Sequence, residues 1–366
     1  MKKFWLAGLA AFFLLTVSAH ADIDIAAVGP ITGQDAPTGE QMQRGAEAAV
    51  AAINAAGGVL GQKLHLSIRD DVCDPKQSVA IANELSGGGT AAVIGPMCSG
   101  SAIPASRVYN DAGIVMISPS ATNPLLTEQG FDTVFRTCGR DDQQGDKVAE
   151  FIATHYPGKA VAIVHDKTAY GQGIAEDVQK TLHKLGIHEA MYESISRGER
   201  DYSALVSKLK EHGIDVLFYG GYHTEAGLIV RQMRDQGLKT VFIGDDDLTT
   251  SEFWAITGKA GEGALMSFQP DPRRLPEAVD AVRRIRATGF EPEGITLYTY
   301  AAVQVLAQAV QRAHATDGAK LAAVMHGGTF STVLGPVTFD SKGDVKNPDY
   351  IIYRWSNGSY APLKQQ

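Results

Sequence analysis

Beyond residue 21, short β-rich runs alternate with longer stretches of helical period, and the pattern comes round twice. Strands separated by helix-length connections pair in parallel and need helices on both faces of their sheet, so this alternation limits the chain to an α/β architecture. One group of strands is read at Ile23 to Val28, Leu64 to Asp70, Ala91 to Ile94 and Ile114 to Ile117. A second lies at Ala160 to His165, Ala190 to Ile195, Val216 to Tyr219 and Thr240 to Ile243. Between them fall helical stretches at Gln41 to Asn54, Pro75 to Leu85, Ser101 to Asn110, Gly145 to His155, Gly171 to Leu185, Tyr202 to Glu211 and Glu225 to Gln236. Two doubly wound lobes are therefore expected rather than one large sheet. With roughly 100 to 200 residues per domain, the length of 366 residues accommodates both.

The lobes are expected to divide near Arg140 to Asp142. A second break comes at QPDPRRLP, which ends at Pro276 and carries three prolines, too rigid and donor-poor for a helix or a central strand. It is read as a crossover, after which helices at Pro276 to Ala287, Tyr298 to Ala313 and Ala319 to Met325 return to the first lobe. The last strand, Tyr350 to Trp355, fits either lobe. The resulting division assigns residues 22–141 and 270–347 to an N-terminal lobe and residues 142–269 and 348–366 to a C-terminal one.

The first 21 residues stand outside this scheme. Lys2 and Lys3 precede an apolar run from Phe4 to Val17 and an A-x-A site at Ala19 to Ala21, the pattern of a secretory signal cleaved after Ala21. The run is shorter than the ~20 residues of a spanning helix. The chain carries 33 basic and 41 acidic residues, a formal charge of −8, and losing Lys2 and Lys3 makes it more negative. A surface that neutralises nucleic-acid phosphates is not expected.

Export places the three cysteines in an oxidising compartment. Cys73 and Cys98 are the expected pair, closing a loop of about 25 residues for which loop-closure entropy gives roughly 3 kcal/mol. Three cysteines nonetheless allow three single bridges. No C-x-x-C or paired-histidine spacing supports zinc, and Asp245-Asp246-Asp247 lacks the Gly and terminal Glu of an EF-hand loop.

Ligands of open α/β sheets bind beyond the carboxyl ends of the strands. There the third strand leads into Gly95-Pro96-Met97-Cys98-Ser99-Gly100-Ser101 at a helix start, where amides and hydroxyls offer an anion site or Ser99 or Ser101 caps the helix. Ser118-Pro119-Ser120-Ala121-Thr122-Asn123 follows the fourth strand. In the second group, Tyr170 and Tyr222 each stand just past a strand end, and Asp245 to Asp247 place carboxylates where a ligand ammonium could face them. No G-x-S-x-G elbow, H-E-x-x-H helix, Walker loop or G-x-G-x-x-G after the first strand is present, so neither a catalytic site nor a bound cofactor is expected.

From Asp22 to about Gly358 the chain resembles the periplasmic branched-chain amino acid (Leu/Ile/Val) binding proteins of ABC importers, with the type I periplasmic binding fold. The resemblance runs in order through DIDIAAVGPITG, INAAGGVLGQKL, DDVCDPKQSVAIANEL, VIGPMCSGSAIPAS, ISPSATNP, AIVHDKTAYGQG, FYGGYHTEAG, LKTVFIG and GPVTFDSKGD. It implies two lobes joined by three crossovers that close on an amino acid in the periplasm, and a monomer that passes the ligand to an ABC permease. Ser99 and Thr122 match positions that hold the ligand α-carboxylate, and Ser120 one whose carbonyl meets the α-amino group. Tyr170 and Tyr222 match tyrosines brought in by the second lobe. Met97 and Cys98 match the side-chain pocket, and Cys73 with Cys98 the family disulfide.

Two positions depart from the family. Asp246 stands where Glu is common at the ammonium site, retaining charge but not reach. Thr38 replaces an aromatic residue, which enlarges or polarises one pocket wall. A pocket with Thr38 could take leucine, a larger aromatic amino acid such as phenylalanine, or a more polar side chain; a separate alternative is a sensing receptor for a small amide, urea or other amino-acid-like solute.

Overall fold

The computed structural model describes residues 22–364, so the expected signal segment lies outside the described residues. Five strands form the first sheet: β1 Ile23–Gly29, β2 Leu64–Asp70, β3 Ala92–Ile94, β4 Val115–Ser118 and β5 Val134–Arg136, all parallel in the spatial order β2-β1-β3-β4-β5. The second sheet repeats that order with β6 Val161–His165, β7 Met191–Ser194, β8 Val216–Gly220, β9 Val241–Gly244 and β10 Leu265–Phe268 arranged as β7-β6-β8-β9-β10. A hairpin of β11 Thr329–Thr332 and β12 Gly335–Thr338 stands apart. The antiparallel strands β13 Ile351–Ser356 and β14 Ser359–Pro362 extend the second sheet beyond β10.

β3, β4, β5, β6 and β8 are buried along their whole length, as parallel strands covered on both faces must be. The sequence fits this. Val, Ile, Ala and Phe fill the strands, while the intervening helices turn one apolar stripe inward. No helix among the described residues is long and apolar enough to cross a membrane.

The chain passes between the sheets three times: from β5 into the helix Asp141–His155, from β10 through residues 269–278, and from β12 to β13. The proline-rich stretch forms two short 3-10 turns, Pro272–Arg274 and Pro276–Ala278, so the next helix starts at Val279 rather than at Pro276. That helix and Thr296–Ala313 pack on Ala36–Ala55 in the first lobe's core. Ala36–Ala55 itself begins five residues ahead of the expected Gln41, because Pro37 suits the first helical turn. β5, β10 to β12 and β14 are additions to the expected strands, and Tyr350 to Trp355 falls in the second sheet as β13.

The loops that follow the first lobe's strands are held by one buried ion pair. Arg136, on β5, is wholly buried with Nε 2.7 Å from Asp344 Oδ1. Its Nη1 donates to the carbonyls of Ala121 (2.7 Å) and Asn123 (3.1 Å), and Nη2 to Thr127 Oγ1 (2.8 Å). Arg140 adds a second contact to Asp344 at 2.8 Å. Removing one partner of a buried pair strands the other charge. Asp344→Ala should therefore cost about 3 to 5 kcal/mol in denaturant unfolding. A change below about 1 kcal/mol would show that the pair does not anchor this lobe.

Candidate functional site

The loops after β3, β4, β6, β8 and β9 meet between the two sheets. The carboxyl ends of both sheets face this cleft, the general location of ligands in open α/β proteins. A small chamber there is lined by Met97, Cys98, Ser99 and Ser120 from the first lobe and by Tyr170, Tyr222, Asp246 and Asp247 from the second. Its volume is about 20 Å³, on the order of a single water. Larger hollows of about 470 and 540 Å³ open along the rim of the cleft. The chamber differs from them in that its two tyrosines are buried and its two acids half-buried.

On the first-lobe side, Cys98 is the residue ahead of the helix Ser99–Asp111 and is bridged to Cys73, with Cα atoms 5.6 Å apart. Cys138 is free and buried. Neither Ser99 nor Ser101 caps its own helix: Ser99 Oγ instead accepts from the Asn123 amide at 3.2 Å, tying the β3 and β4 loops together. Ser118 completes that tie, donating to the Pro96 carbonyl at 2.7 Å and accepting from the Ala121 amide at 3.0 Å. The helix start thus keeps its amides and its positive dipole end for an anion. Thr122 lies beside the chamber rather than on its wall, and its Oγ1 has no aligned partner among the described residues.

On the second-lobe side two glycines permit a close approach. A Cβ on Gly171 would lie 2.5 Å from the Gly220 carbonyl oxygen, and one on Gly220 would lie 2.4 Å from that of Gly171. Their contact seats the helix start at Ala169 against the end of β8, bringing the rings of Tyr170 and Tyr222 to a centroid distance of 5.4 Å. Tyr170 donates its hydroxyl to Asp246 Oδ1 at 2.6 Å.

The loop after β9 supplies three consecutive acids. Asp245 accepts from the Gly221 amide (2.8 Å), and Asp247 accepts from the His223 amide (2.8 Å) and pairs with its Nδ1 (2.7 Å). Burial raises the Asp246 carboxyl from 3.8 to about 6 even though the Tyr170 hydroxyl opposes it, and burial with the neighbouring Asp246 charge holds Asp245 well above its ordinary value. Asp141, at the start of the helix crossing into the second lobe, is driven up by burial and by Asp246, and both its oxygens lack an aligned partner. For His223, burial works downward but the Asp247 carboxylate outweighs it, and the imidazole value rises. The wall is thus short of positive charge, an arrangement suited to an ammonium.

Seven of the expected residues share the chamber. Thr38 does not line it: buried behind the wall, its Oγ1 meets Asp247 Oδ1 at 3.4 Å, so the position is polar rather than hollow. Asp247 and Asp141 join the site without having been singled out individually. The acidic triplet was the available signal for Asp247, whereas nothing local marks Asp141.

An acid raised from 3.8 to about 6 destabilises the fold once the unfolded chain ionises it; the penalty is absent below 3.8, accumulates between about 4 and 6 and is complete above 6. Asp246→Asn should therefore be more stable than the parent at pH 7.5 by about 1 to 3 kcal/mol, with the difference vanishing near pH 4. Thermal unfolding across that range checks it; a gap independent of pH would contradict the assignment.

The chain matches the periplasmic binding protein family over residues 22–359. It is 49% identical over 362 residues to a Leu/Ile/Val-binding protein homologue of Brucella melitensis, covering 98% of each chain. Among solved structures, a leucine-binding protein of Thermotoga maritima superposes with a TM-score of 0.87 at 26% identity, covering 93% of this chain and 98% of the other. The substrate-binding protein of a branched-chain amino acid transporter from Streptococcus pneumoniae, in complex with isoleucine, gives 0.85 at 25% identity, covering 93% and 97%.

Proposed function

The chain belongs to the periplasmic binding protein family, and on that footing we propose that it captures a hydrophobic α-amino acid, branched-chain in the first instance, between its lobes. The observation that carries this reading is the polarity of the chamber: a helix start with hydroxyls on one side, buried carboxylates with two tyrosines on the other. A zwitterion lies along that axis in only one sense. Ser99, Thr122 and the amides of the helix start take the α-carboxylate, while Asp246 and the Ser120 carbonyl take the ammonium. Tyr170 and Tyr222 close over the backbone of the ligand, and Met97 with the Cys98 bridge borders its side chain.

Entry requires the lobes to part, since about 20 Å³ is far below the volume of a leucine. It also requires Asp246 to exchange its Tyr170 hydroxyl for the ligand ammonium. Closure follows because Tyr170, Tyr222 and Asp246 meet a ligand held on the first lobe only when the lobes approach, and only such differential affinity shifts the equilibrium. The two lobes are then residues 22–141 with 270–347 and residues 142–269 with 348–366. The exported chain, cleaved after Ala21, acts as a monomer in the periplasm and presents its closed form to an ABC permease without turning the ligand over.

Leucine, isoleucine and valine should each raise the thermal midpoint of protein freed of bound solute by unfolding and refolding; at hundredfold excess over Kd the gain is about 2.7 kcal/mol. No shift with any of the twenty L-amino acids would overturn the reading. Truncating one partner of a buried charged contact costs 2 kcal/mol or more, so Asp246→Ala should weaken binding at least about thirtyfold in calorimetry. Affinity retained within about threefold would remove Asp246 from the ammonium site.

A further inference from the structure

We propose that Arg197 and Asp35 form a latch across the mouth of the cleft, a pair of positioning residues that stabilises the closed arrangement from behind the chamber wall. Asp35 precedes the first-lobe helix Ala36–Ala55 and is 3% exposed. Arg197 lies in the second-lobe loop after β7, with its side chain 23% exposed. Arg197 Nη2 stands 2.6 Å from Asp35 Oδ1, a charge-assisted hydrogen bond from one lobe to the other. Neither residue lines the chamber.

Three features make this pair more than a surface contact. The Arg197 guanidinium carbon lies 4.1 Å from the centroid of the Tyr222 ring, so the side chain that grips the first lobe also backs a chamber wall. The same first-lobe turn makes two further crossings, Gln34 donating to Glu225 and Thr38 meeting Asp247. Arg197 also keeps acids of its own lobe within reach, Glu225 at 3.9 Å and Asp166 at 4.0 Å. Parting the lobes therefore hands Asp35 to water but leaves the guanidinium near Glu225 and Asp166, so breaking this pair strands no buried charge. A contact that can be broken at that modest cost is reversible, as repeated capture and release demand.

The test uses the ligand-free protein, and so stands apart from the amino-acid reading. Distance distributions between paired labels on an exposed residue of each lobe, such as Asn83 and Ser207, report the ratio of closed to open molecules. Loss of a hydrogen bond to a charged group should lower that ratio about tenfold in Asp35→Asn and in Arg197→Gln. Arg197→Lys, which keeps the charge but not the planar fork, should fall between the parent and Arg197→Gln. The double variant Asp35→Asn with Arg197→Gln should lower the ratio little further than either single one, since both remove the same contact. A parent that is open throughout, single variants within twofold of the parent, or fully additive effects would each overturn the latch.

Discussion

Taking carboxylates out of water is the constraint around which this cleft is organised. Asp141 and Asp245 are buried and Asp246 is half-buried where the two sheets meet, and desolvation raises all three. The protein answers the cost in several ways: the Gly221 amide on Asp245, the Tyr170 hydroxyl on Asp246 and the His223 ring on Asp247. None of these brings a full positive charge to Asp246, and that deficit is what a ligand ammonium can fill. On the proposed reading the same feature ties recognition to closure, because Asp245 and Asp246 sit on the lobe opposite the hydroxyls and the helix start.

Positioning that opposite wall falls to a buried cation. Arg136 reaches from β5 to the carbonyls of Ala121 and Asn123, and Asp344, far along the chain, neutralises it. The loop that carries Ser120 and Thr122 is thus fixed through its backbone carbonyls. Ser99, held by the Asn123 amide, couples that loop to the helix start. On the proposed reading the two lobes use their charges differently, one to build a rigid wall for the carboxylate and the other a site for the ammonium.

The strands read from the sequence include both buried apolar runs, such as β4, β6 and β8, and half-buried ones with polar residues, such as β2 and β7, each set between helix-length connections. β5 escaped because Val134-Phe135-Arg136 ends on an arginine, whose burial makes sense only once Asp344 arrives from some two hundred residues away. β12 and β14 carry Pro336 and Pro362, which local propensity excludes and which edge positions tolerate. The loops at the strand ends were legible because topology alone says where ligands go. Asp141 and Arg197 were not, since their roles depend on partners from another lobe that no local pattern specifies. Thr38 was half legible: the resemblance marked a departure at this position, and the structure sets its hydroxyl against Asp247 behind the chamber.

The most direct measurement of the central claim is the proton linkage of binding, obtained by calorimetry of L-leucine at pH 6 in buffers of different ionisation enthalpy. An Asp246 carboxyl near 6 is half protonated there, and an arriving ammonium selects the ionised form. Binding at pH 6 should release about half a proton, and the release should fade by pH 8. Binding at pH 6 with no proton released, or with a proton taken up, would contradict the account of a buried carboxylate waiting for its counter-charge.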